Sequence, residues 1–164
     1  MAITTIATLQ AAAESWMERT LDDALFLEWA NAVADKLMNG VLAADDRTWI
    51  VPPLRARSME STTTLTTSSG SVALPTDWLE FKRVWIDATD GKDLVYKPLR
   101  QFKTDPDSQL TGTPTKYTID AGRLYIAPTT DADIEVTYYE KLGSFTGDAS
   151  TDAILTDHGA VYLS

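Results

Sequence analysis

A chain of 164 residues has the length of one typical domain, or of one small domain carrying an insertion, and folding at that size buries roughly 70% of the surface exposed by the unfolded chain. Lysine and arginine number 14 against 24 aspartate and glutamate, and the net charge of -10 opposes sequence-independent binding to a phosphate backbone; it suits a chain that stays dissolved or lets a polyanion pass without sticking. With no cysteine, disulfides, thiolate chemistry and the usual cysteine-containing zinc and iron–sulfur sites are excluded.

The N-terminal MAITTIATLQAAAESW lacks the basic start and unbroken apolar segment of a secretion signal, and no apolar run approaches ~18 residues, so the expectation is a soluble protein used in a cytoplasm or a particle. From Thr4 to Met38 the period is helical. Ile6, Leu9, Ala13 and Trp16 mark one face of a first helix. Thr20 is expected to cap a second, with Asp22 and Asp23 in its electropositive first turn. Leu21, Leu25, Trp29, Val33 and Leu37 then follow at four-residue spacing to an Asn39-Gly40 stop. Core packing is the expected role of both stripes, Trp16 and Trp29 included. Ala24, Ala30, Ala32 and Ala34 widen the apolar band, so the second helix is expected to pack on more than one neighbour, a second subunit being one candidate.

From Trp49 to Leu142 the period shifts to two and the residues become β-branched and aromatic. Trp49 beside Val51-Pro52-Pro53 either marks a contact surface or seats a satellite cluster under a loop. SMESTTTLTTSSGSVAL reads as strand, Ser-Ser-Gly turn and return strand; FKRVWIDATDGKDLVYKPL repeats the scheme around Asp90-Gly91. Between them, in VALPTDWLEFKRVWI, Pro75 ends a strand, Thr76-Asp77 turn, and Trp78 and Leu79 anchor the corner. Phe81, Val84 and either Ile86 or Trp85 load the next strand, a bulge leaving the face open. KYTIDAGRLYIAP is a further hairpin and DIEVTYYEKL one more strand, making roughly six to eight antiparallel strands in a sandwich or barrel. After the polar GSFTGDASTD, Asp157 is expected to cap a third helix near His158; the given sequence holds only about two turns of it, so it must dock firmly or continue further. The predicted fold is α+β: an N-terminal helical hairpin and a C-terminal helix forming a small bundle, with an inserted antiparallel β-sandwich or barrel. Its segments are 1–46, 47–143 and 144–164.

The chemistry is sparse. His158 has no second histidine or cysteine to join, so metal and triad arrangements fail by counting. Asp87, Asp90, Gly91 and Asp93 resemble a calcium loop, yet Gly91 as sixth position puts Ile86 and Ala88 where oxygen ligands belong, which leaves a solvated turn. No GxSxG, Gly-rich phosphate loop or HExxH occurs, and nothing singles out a glycosidase carboxylate pair. FKRVWI and YKPLRQFK carry cations outward and aromatics inward, the ordinary pattern of a half-buried sheet. The expectation is no enzyme and no cofactor.

In order, ESWMERTLDDALFLEWANAVADKL, LRARSMES, VALPTDWLEFKRVWID, YKPLRQF, GTPTKYTIDAGRLYIAP, IEVTYYEKL and AILTDHGAVYL span most of the chain. Together they resemble the head-to-tail adaptor (connector) proteins of tailed bacteriophages and gene transfer agents, and are similar to the tail tubular protein A type of short-tailed phages. The resemblance implies a non-enzymatic virion protein of the neck, assembled in the host cytoplasm into a homo-oligomeric, dodecameric ring. Its implied partners are the portal protein above and a tail nozzle, stopper or tail tube protein below, with double-stranded DNA passing unbound during genome ejection and no membrane involved. Two departures stand out: NGVLAADDRTWIVPP intervenes between the second helix and LRARSME, and the longer C-terminal helix and tail of the family are missing from the given sequence. Candidate partner contacts are Trp49, Pro52, Pro53, Arg55, Arg57, Tyr162 and Leu163. Candidate channel-lining acids are Asp45, Asp46, Asp105, Asp107, Asp131 and Asp133. The competing class is a carbohydrate- or ligand-binding β-sandwich of a virion or surface protein. It needs exposed coplanar aromatics, and adjacent Tyr138 and Tyr139 point to opposite faces of a strand.

Overall fold

The computed structural model describes residues 3–42, 49–86, 91–147, 149–150 and 154–155, with 42 and 49–51 as backbone alone. The chain divides into two compact units, residues 1–59 with 141–164, and residues 60–140.

The first unit is built on a helical hairpin. Thr5 caps α1 (Ile6–Met17) in a reciprocal capping box with Thr8, and Glu18, left-handed at φ 55°, ends it. Asp22, not Thr20, caps α2 (Asp23–Asn39), accepting the Leu25 N–H at 3.0 Å. An aspartate in the β region immediately before the first helical residue satisfies an orphan amide that Thr20 lies too far upstream to reach. Gln10 stitches the hairpin: its Nε2 donates to Asp23 Oδ1 at 2.8 Å and to the Leu21 carbonyl at 3.4 Å, while Glu14 Oε1 accepts the Leu21 N–H at 2.8 Å.

Residues that read as β join this helical unit. β1 (Val41–Leu42) and β2 (Trp49–Val51) form a two-stranded antiparallel ladder within it. Beyond them, the Leu54 N–H reaches the Leu37 carbonyl at 2.7 Å and Arg55 Nη1 the Met38 carbonyl at 2.9 Å, satisfying the last turn of α2. The period-two pattern starts at Trp49, whereas the β-rich unit begins at Glu60. The returning chain is held by Asn31, which acts as a backbone surrogate: Oδ1 accepts the Phe145 N–H at 2.8 Å and Nδ2 donates to the Phe145 carbonyl at 3.0 Å. Ile154 and Leu155 are helical and fully buried; the helix expected from Asp157 onward lies outside the described residues.

The second unit is a two-sheet sandwich. One sheet has the order β3 (Glu60–Thr66), β9 (Asp133–Glu140), β5 (Trp78–Ile86), all antiparallel. The other runs β4 (Ser71–Ala73), β8 (Arg123–Ala127), β7 (Lys116–Asp120), β6 (Val95–Tyr96). Val84, Ile86, Ile134, Val136 and Tyr138 from the first sheet share one buried cluster with Leu124 and Ile126 from the second. Two bulges, at Trp78/Glu80 and Phe81/Arg83, settle the open face of β5: Val84 and Ile86 point inward, and Trp85 lies beneath the Arg83 guanidinium, 4.6 Å from its ring centroid.

Two expected hairpins are rearranged. β3 and β4 do not pair as a hairpin; apart from a single Ser68–Ser71 bridge they belong to different sheets. Gly70 makes the corner, left-handed at φ +72° and so close to the next loop that a Cβ would stand 2.6 Å from Thr129 Cγ2. After Gly91, Leu94 pairs back onto Val84, but the chain then crosses to the other sheet, where β6 runs parallel to β7. The β7–β8 hairpin closes as the sequence predicts, through Ala121 and Gly122, both at positive φ.

Gly70→Ala and Gly122→Ala share the left-handed strain, but only the first adds a clash, since nothing lies within 4 Å of a Cβ on Gly122. Urea denaturation should show Gly70→Ala losing about 1–3 kcal/mol more than Gly122→Ala; equal losses would mean that the Thr129 contact is slack.

Candidate partner-binding surface

The second helix carries two parallel apolar stripes; one is buried, and the other is exposed at Leu25 and Trp29 and half-buried at Val33 and Leu37. Phe26, Ala30, Ala34 and Met38 are buried at four-residue spacing. The stripe expected to be core, Leu25, Trp29, Val33 and Leu37, is displaced by one residue, which turns it by about 100° on a helix. Leu25 is 67% exposed and Trp29 42%. On α1 the buried face holds Ile6, Leu9, Gln10 and Ala13, while Trp16, in the last turn before the helix ends, is 78% exposed. The expectation that Trp16 and Trp29 are core is thereby corrected. Ala24 and Ala32 face outward as well.

The consequence is an apolar groove of about 410 Å³ at the turn of the hairpin, lined by Trp16, Met17, Leu21, Leu25, Phe26 and Trp29 among others. Trp29 leans on Phe26 with ring centroids 5.3 Å apart, so its indole is propped at the rim. The Gln10–Asp23 and Glu14–Leu21 hydrogen bonds fix the two helix ends that frame the groove. Gln10 and Glu14 were not singled out by sequence reasoning, because a polar residue between apolar ones on a helix gives no sign of a buried partner. The groove itself had a visible signal, the double stripe of α2, which the alanine-rich band pointed to without saying which half stays bare.

The residues singled out earlier are scattered. Arg57 and Pro52 are exposed and Pro53 is half-buried, while Arg55 is engaged with the Met38 carbonyl. Trp49 is described in its backbone alone; Tyr162, Leu163, Asp45, Asp46 and His158 lie outside the described residues. Asp105 and Asp107 converge on Lys116, each with an oxygen 2.7 Å from Nζ. The hydrogen bond from Lys116, then that from the Asp107 N–H, holds Asp105 below the ordinary carboxylate value, and Asp105 followed by Asp107 raises Lys116. Asp131 accepts the Ser69 N–H and Asp133 the Thr66 hydroxyl, both at 2.6 Å. Both donors are neutral groups, and both aspartates are exposed.

No stacking platform for a sugar is formed by the described aromatic pairs. Tyr96 and Tyr117 meet at 62°, Phe81 and Tyr117 at 84°, and Tyr138 is buried with its hydroxyl on Asp77. Among the described residues no group of three acidic, histidine or cysteine side chains is placed to hold a metal ion, and no helix is long and apolar enough to cross a membrane. A family profile described as SU10 adaptor protein matches residues 4–164. No curated protein matches the chain.

The register of α2 is open to a direct test. Leu25→Ser should change unfolding free energy by no more than about 0.5 kcal/mol, whereas Phe26→Ala should cost about 3–5 kcal/mol. The reverse order in a denaturant titration would place the buried stripe on the wrong side of the helix.

Proposed function

The chain belongs to the SU10 adaptor protein family of phage head-tail adaptors, and on that footing we propose that it forms a ring in the virion neck that docks on the portal, extends the DNA channel and gives the tail its platform. The match over residues 4–164 carries this reading. The bare groove supports its oligomeric part, since a ring subunit needs apolar surface that its own fold leaves uncovered. The likeness to the tail tubular protein A type, the dodecameric count and assembly in the host cytoplasm belong to the same reading. Trp49, Pro52, Pro53, Arg57, Tyr162 and Leu163 remain its candidate contacts with portal or tail; Arg55 joins them only if its bond to the Met38 carbonyl is kept or exchanged.

Passage of DNA needs a wall that does not hold phosphate, and the net charge of -10 favours such a wall. Asp131 and Asp133, exposed and bonded to neutral donors, suit that role best. Asp105 and Asp107 share the charge of Lys116 and suit it less. Asp45 and Asp46 stay candidates on charge alone.

Mixing the purified chain with purified portal rings and imaging the product by electron microscopy tests the proposal. A single additional ring with one adaptor per portal subunit is the expected result. Portals that remain bare at saturating adaptor, or that bind scattered single copies, would refute it.

A further inference from the structure

The ring reading leaves open which surfaces meet, and the distribution of exposed apolar and charged groups narrows the choice. Among the described residues, the exposed large hydrophobics fall in two places: Trp16, Met17, Leu25 and Trp29 at the hairpin groove, and Val95, Tyr96 and Leu110 on the sandwich. The chain segments that carry most of these residues differ in net charge. Residues 14–28 hold Glu14, Glu18, Asp22, Asp23 and Glu28 against Arg19 as their one cation. Residues 95–104 hold Lys97, Arg100 and Lys103 and no acid, although Lys103 Nζ lies 3.7 Å from the Asp120 carboxylate.

We propose that the hairpin groove of one copy receives the Val95–Lys103 segment of a second copy. The inference rests on the ring reading above and adds to it the identity of the mating faces. Val95 is 58% exposed and Tyr96 52%, and they sit on β6, at the edge of their sheet among the described strands. The short helix α3 (Leu99–Thr104) follows at once; Arg100 and Lys103 are exposed on it, and Phe102 is buried beneath. An apolar pair followed by cations therefore meets an apolar groove, lined by Asp22 and Arg19, on a hairpin whose residues 14–28 are net acidic. Two grooves facing each other would instead bring two net acidic segments together, which disfavours a two-fold pairing through this surface. Contact between two different faces is heterologous, and it generates a ring when the rotation between copies closes.

The cysteine-free chain makes the test direct. Leu25→Cys and Val95→Cys are prepared as separate full-length variants, both at exposed positions, and treated with a short bismaleimide cross-linker alone and as an equal mixture. The proposal expects covalent dimers in the mixture and little or none in either variant alone. Dimers of Leu25→Cys alone would show groove facing groove and overturn it. So would an uncross-linked mixture under conditions where the chain forms rings, and so would cross-linking of Leu25→Cys to a portal subunit in preference to Val95→Cys. Those results leave the ring reading intact. A wild-type chain that stays monomeric both alone and with portals refutes the ring reading, and this inference falls with it.

Discussion

A helix of 17 residues with two apolar stripes presents a band wider than a small helical unit can cover. The rest of the first unit depends on how α2 resolves that constraint. The stripe made of Phe26, Ala30, Ala34 and Met38 is the narrow one, with two alanines at its centre, so it admits close approach of other chain. The returning segment exploits this: Asn31, one residue past Ala30, pairs with both backbone groups of Phe145, and the Met38 sulfur accepts the Leu142 N–H at 3.0 Å. The bulkier stripe is left at the surface at Leu25 and Trp29 and is half-buried at Val33 and Leu37. A monomer gains nothing from exposing two tryptophans, a methionine and a leucine in one place, which is why the groove reads as a surface awaiting a partner.

Much of this fold was legible in the sequence because local signals and tertiary packing agree. The helix pair, the Ala121-Gly122 hairpin and the strand continuing from the Leu-Pro-Thr-Asp-Trp corner follow from period and turn chemistry. At that corner the Trp78 N–H returns to the Pro75 carbonyl at 3.1 Å, and Asp77 takes the Tyr138 hydroxyl, tying the turn to the central strand. What stayed hidden is non-local. A strand followed by a Ser-Gly turn and another strand looks like a hairpin, yet β3 pairs with β9 and β4 with β8, so the chain turns a corner between sheets at Gly70, close against Thr129. The stripes on α2 differ by one residue in register, and hydrophobicity alone does not rank them; the alanines do, once a close-packed neighbour is known.

On α2 the sequence showed an apolar band wide enough for more than one neighbour and assigned Leu25 and Trp29 to the core, where the structure leaves them exposed. Among the acids it grouped residues by charge, whereas the structure separates them by partner. Asp105 and Asp107 flank a half-buried lysine, while exposed Asp131 accepts the Ser69 N–H and exposed Asp133 the hydroxyl of its cross-strand neighbour Thr66. The same formal charge thus stabilises the fold in one pair and shapes the external field in the other.

The central claim is that the hairpin groove is bare in the single chain and covered on assembly. Hydroxyl-radical footprinting read by mass spectrometry addresses it, because tryptophan and methionine side chains report their own exposure. The account predicts fast oxidation of Trp16, Met17 and Trp29 in the free chain and strong protection of all three in the portal-bound ring, with buried Met59 unreactive in both. Oxidation of Trp16 and Met17 in the ring as fast as in the free chain would contradict it.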